Sequence, residues 1–103
     1  MLYAVAISLS ASSAYADIDQ KLGWEKIFVK YCSGCHGPLG RGDGYRMLGS
    51  APADFASLAS KQKSDARLLK TIHEGKPNMP AWKFRLSAKD SRDVLAYTRT
   101  LSE

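Results

Sequence analysis

The reading turns on YCSGCHG, residues 31–37. Cys32 and Cys35 are the chain's two cysteines, and His36 follows the second directly. At the end of a helix, residues three and four apart share a face. Both thiols and the imidazole can therefore serve a single group lying against that face.

Four chemistries compete for this arrangement. A structural zinc site takes four ligands, commonly from two Cys/His pairs, and the one other histidine is His73. A thioredoxin-like redox pair belongs in a βαβ setting, which this chain does not suggest. A Cys32–Cys35 disulfide would close a very short loop and has no need of the histidine. The fourth reading is attachment of a c-type haem, the usual meaning of C-x-x-C-H. Two thioethers would then reach the two vinyl groups of one porphyrin, with the His36 imidazole beneath the iron. This reading is preferred.

The surrounding sequence agrees with it. Residues 1–16, MLYAVAISLSASSAYA, carry no charge and end in Ala14-Tyr15-Ala16, a small-x-small cleavage pattern. They are expected to be a secretory signal peptide cut after Ala16, leaving residues 17–103 as one domain. The run lacks the basic start of such leaders, which leaves the leader's true beginning open. A buried N-terminal helix and an uncleaved anchor are the alternatives, although a membrane span needs about 20 apolar residues. Export would place the protein in the periplasm or an equivalent compartment, outside the bacterial cytoplasm, where c-type haem is attached. The chain carries 15 basic and 10 acidic residues, a net charge of +5. It has no basic repeat interleaved with aromatics, so nucleic acid is not an expected partner.

Periodicity points to an all-α domain. Trp24, Ile27, Phe28 and Tyr31 fall on one face of a helix expected over residues 18–33. Residues 37–63 hold five glycines, with Pro38 and Pro52, and read as irregular. They also hold Leu39, Tyr45, Met47, Leu48, Phe55 and Leu58, so a long loop that wraps something is expected. A second helix is expected over 65–74, capped by Ser64 and ended by Gly75, with Leu68, Leu69 and Ile72 inward. Ser87 with Asp90 resembles a capping box and starts a last helix striped by Val94, Tyr97, Thr98 and Leu101. Such a small domain buries a modest core, and a flat apolar disc would supply its centre.

If His36 lies on one face of the iron, the group on the other face decides function. Met79, Met47 and His73 are the candidates. Met79 is favoured because Pro77 and Pro80 brace its backbone. Met47 could fill a gap in the wrapping loop. His73 sits near a helix end, where an imidazolium suits the dipole. Histidine/methionine ligation raises the potential and leaves no open site on the iron. That favours electron transfer over conversion of a substrate.

These residues resemble the class I c-type cytochromes, small monohaem electron carriers and related subunits. The resemblance spans nearly all of residues 17–103. It is carried by CSGCHG at 32–37, GDG at 42–44, PADF at 52–55, IHEGKPNMPAW at 72–82 and DVLAYTRTL at 93–101. It implies an all-α cytochrome c fold, with three main helices and long loops around one covalently bound haem c. It further implies Cys32 and Cys35 as the attachment points and His36 and Met79 as the iron ligands. Tyr97 would pack on Phe28, and Trp82 would line the pocket or donate toward a propionate. The Pro52 carbonyl is the expected acceptor for the proximal imidazole. One departure stands out. Trp24 occupies the place, four before Phe28, where the family usually has a small residue, and it should widen or rotate the helix crossing.

The resemblance implies a one-electron carrier between redox proteins rather than an enzyme. Lys30, Arg41, Arg46, Lys76 and Lys83 could ring the exposed edge and favour partners with acidic docking surfaces; membrane complexes are admitted among them. The alternatives are an electron-transfer subunit of a larger oxidase, reductase or dehydrogenase and, behind it, a ligand-sensing haem protein or peroxidase.

Overall fold

The computed structural model describes residues 18–46 and 52–103. The cleavage site after Ala16 and Met47 lie outside the described residues. Five helical segments follow in order: α1, residues 18–31; α2, Ser33–His36; α3, Leu58–Gln62; α4, Asp65–Glu74; and α5, Ala88–Leu101. Among the described residues there is no strand, only a single antiparallel bridge between Lys76 and Met79. The all-α class expected from periodicity is the class observed.

α1 pauses at Cys32 without ending the helical path. The Cys32 N–H donates to the Phe28 carbonyl at 2.9 Å, and the His36 N–H donates to the Cys32 carbonyl at 3.0 Å. The motif is thus one further turn, α2, closed by Gly37 at φ +84°, whose N–H reaches the Ser33 carbonyl at 2.8 Å. A left-handed residue after a helix satisfies an orphan carbonyl, and glycine adopts that conformation without steric cost.

The later helices begin at the expected caps. Ser64 accepts from the Arg67 N–H at the start of α4, and Ser87 accepts from the Asp90 N–H at the start of α5. α3 was not expected, since its stretch reads as irregular. It forms because Ser57 accepts from the Ser60 N–H at 3.2 Å, and the Asp54 carboxylate accepts from the Ala56 N–H just before it at 2.9 Å. α4 packs on α5. His73 Nε2 meets the Ser91 hydroxyl at 2.8 Å, and Ser91 is fully buried. Arg99 of α5 ties down the α3–α4 junction. It donates to the Lys63 carbonyl at 2.7 Å and to the Asp65 carboxylate at 2.9 Å.

Among the described residues, the buried apolar side chains are Phe28, Leu86, Val94 and Leu95. That is a small core for a domain of this length. Phe28 is its hub. Its ring centroid lies 5.3 Å from that of Tyr97 and 6.2 Å from that of Phe55. The expected Phe28–Tyr97 contact is present although Trp24 stands one turn away, itself half-buried. Gly23 has no described atom within 4 Å of where a Cβ would sit, so it supplies no close helix approach. Phe28→Ala is expected to cost about 3–5 kcal/mol, the usual range for a buried phenylalanine. Guanidinium unfolding would show this as a lower midpoint.

Candidate functional site

Other apolar side chains, Leu68, Ile72, Met79 and Trp82 among them, line a cavity of about 850 Å³ that Phe28, Val94 and Leu95 also reach. α1 and α2 form one wall, residues 52–55 lie beside it, and α4, the 76–82 loop and α5 complete the enclosure. Cys32, Cys35, His36, Pro52, Met79 and Trp82 all line it. The cysteine motif and Met79, far apart in sequence, therefore face a common space.

His36 is held by its Nδ1, which lies 3.3 Å from the Ala53 carbonyl oxygen. A carbonyl only accepts, so Nδ1 is the protonated nitrogen and Nε2 keeps its lone pair. Burial pulls the imidazole below its ordinary pKa, against the opposing effect of that hydrogen bond. The ring is therefore neutral near pH 7 and able to coordinate a metal. The accepting carbonyl is Ala53's, one residue beyond the expected Pro52. The reason is local: the Pro52 carbonyl is turned against Gly42, where a Cβ would collide with it. Pro52 is part of the cavity wall instead.

Both cysteines are free and half-buried. Burial, with a smaller contribution from the neighbouring Cys35, pushes the Cys32 thiol up to about 12. It stays protonated at neutral pH, unlike the thiolates that bind zinc or attack disulfides. Cys35 Sγ donates to the Arg46 carbonyl at 2.7 Å. Among the described residues, no group of three His, Cys, Asp or Glu side chains is arranged to hold a metal ion.

Met79 rests on a tight turn. Lys76 and Met79 exchange both backbone hydrogen bonds, at 3.0 and 2.9 Å, across Pro77 and Asn78. Proline at the first central position pre-sets such a turn. Gly75, at φ +73°, lets the turn fold back against the end of α4; a Cβ there would strike the Met79 carbonyl. Trp82 is fastened by its backbone N–H to the Ile72 carbonyl at 3.0 Å, and its ring lies 5.2 Å from that of Tyr31 along the cavity wall. His73, the other histidine, does not line the cavity, and its Nε2 is engaged by Ser91.

The charged side chains on the cavity wall are Lys30, Arg46, Lys63, Lys76 and Arg99, with no carboxylate among them. Sequence reasoning missed Lys63, Arg99 and Phe55 as wall residues. The donor set fits a haem: a neutral imidazole, a thioether, two thiols beside the imidazole, apolar walls, and cations suited to its carboxylates.

An all-helical fold with this cavity defines a small cytochrome c domain. A family model described as cytochrome c oxidase, cbb3-type, subunit III matches residues 21–97, and the chain belongs to that family. It is similar to the cbb3-type cytochrome c oxidase subunit FixP of Bradyrhizobium diazoefficiens, at 35% identity over 78 residues. That match takes in 75% of this chain and 26% of the relative, so the chain spans about a quarter of that protein's length.

Proposed function

We propose that the chain is a one-electron transfer domain that works as part of a larger oxidase complex. A single haem c would be held covalently through Cys32 and Cys35, with His36 and Met79 as its axial ligands. The observation that carries this is the single cavity that both cysteines, His36 and Met79 line. Of the two electron-transfer readings open from sequence, free carrier and complex subunit, the family match and the FixP likeness favour the subunit.

When bound, the haem supplies an iron that alternates between ferric and ferrous. The protein's own residues do the rest. Ala53 fixes the His36 tautomer, which leaves Nε2 as the nitrogen that would hold the iron. The Lys76–Met79 turn presents the thioether without help from a helix. The apolar walls would keep water from the ring, and the cations would offset its carboxylates. With His36 and Met79 both holding the iron, the domain would pass electrons rather than convert a substrate. The protein is proposed to act outside the cytoplasm, as the reading of residues 1–16 suggests. Its proposed partners are redox proteins with acidic surfaces, membrane-bound ones included.

Gly75→Ala tests the Met79 turn. Its Cβ collides with backbone on the Met79 side of the turn, so the variant should lose a substantial share of its low-spin ferric signal while keeping its covalent haem. Unchanged low-spin content in electron paramagnetic resonance would contradict this. The subunit reading is tested by capturing the tagged chain from detergent-solubilised native membranes. Co-elution with integral oxidase subunits is expected. Recovery solely in the exported soluble fraction would return the free-carrier reading to first place.

A further inference from the structure

We infer that Phe55 is a positioning residue for His36, its ring setting the rotation of the imidazole plane. This rests on His36 being the proximal ligand. The two rings are stacked, with centroids 4.8 Å apart and planes 26° from parallel. The hydrogen bond to Ala53 alone restrains one point of the imidazole, at Nδ1. At 3.3 Å that bond is long and lets the plane rock. A flat ring laid against the imidazole face narrows that rocking.

Phe55 is itself held in place from several sides. Its N–H donates to the Gly40 carbonyl at 2.8 Å. Its ring lies where a Cβ on Gly40 would be, and Gly40 sits at φ +72°. The Phe28 ring meets it edge-on at 62°. Phe55 is therefore a wedge between the buried hub of the core and the imidazole. Gly40 earns a role through the same contact, by leaving room for that wedge. Partners outside the coordination shell orient a metal's ligands and so tune the metal. The plane of an axial imidazole sets the in-plane asymmetry of low-spin ferric iron. A packing role for Phe55 would change stability alone, whereas a positioning role changes that asymmetry.

The test uses the haem-loaded protein with Phe55→Leu, Phe55→Tyr and Leu86→Ala. Leu86 is a buried core residue away from the cavity wall. Ferric electron paramagnetic resonance and the hyperfine-shifted proton spectrum are recorded beside thermal midpoints. Phe55→Leu should move the largest g value and alter the spread of shifted haem-methyl resonances. Phe55→Tyr should restore the wild-type pattern. Leu86→Ala should lower the midpoint and leave both spectra unchanged. A Phe55→Leu protein with wild-type spectra, whatever its stability, overturns the inference. If that variant does not load haem, the reduced wild type decides. Nuclear Overhauser contacts between the Phe55 and His36 rings are expected, and their absence overturns it. A wild type with no low-spin ferric signal defeats the ligand reading and this inference together. A low-spin wild type with an indifferent Phe55→Leu defeats this inference alone.

Discussion

The double variant Cys32→Ala/Cys35→Ala, expressed with haem-attachment machinery, should yield no haem-staining band on a denaturing gel. The wild type should stain strongly, and each single variant should keep a weaker band with a shifted absorption maximum. The effect should reach the fold itself. Four buried apolar side chains, Phe28, Leu86, Val94 and Leu95, form the core among the described residues. Ordering each backbone residue costs about 1–2 kcal/mol, and a core that small offsets little of the total. Apolar residues that would otherwise add to it, such as Leu68, Ile72 and Trp82, instead face the cavity. Without the group that fills it, their burial is lost. Circular dichroism of the double variant should show helix content well below that of the holoprotein, with dye binding typical of exposed apolar surface. A colourless double variant with full native helix content would show that the cavity is not the true core.

The second large effect is expected at Met79. Met79→Ala removes the thioether while leaving the cysteines, His36 and the Ala53 contact in place. The reduced variant should bind carbon monoxide, which the reduced wild type should not. The potential should fall as well. Thioether sulfur favours ferrous iron, and a 10²- to 10³-fold preference corresponds to a drop on the order of 0.1–0.2 V at about 59 mV per factor of ten. Voltammetry of the two proteins measures this. Equal potentials, together with carbon monoxide binding in the wild type, would make the iron five-coordinate and favour a sensor or peroxidase.

What could be read from sequence follows the range of the interactions involved. Ser64, Gly75 and Ser87 announced the ends of α4 and the start of α5, because a cap is a hydrogen bond within one turn. The cysteine motif and the proline-braced Met79 stood out for a related reason: short spacings and prolines are visible in the sequence itself. α3 was hidden, since five residues cannot display a helical period, and the one local signal was Ser57. The carbonyl that meets His36 was misplaced by one residue. Its identity depends on how Gly42 and Pro52 abut, a contact between segments distant in sequence. Phe55 escaped for the same reason, since its stacking on His36 spans 19 positions. So did the His73–Ser91 bond between α4 and α5.

The central claim is that His36 and Met79 ligate one haem, and the absorption spectrum of the ferric protein tests it most directly. The wild type should show sharp low-spin c-type bands and a weak near-infrared band from sulfur-to-iron charge transfer, and that band should vanish in Met79→Ala. A high-spin wild type, or a near-infrared band untouched by the substitution, would contradict the claim and assign the sixth position to something other than Met79.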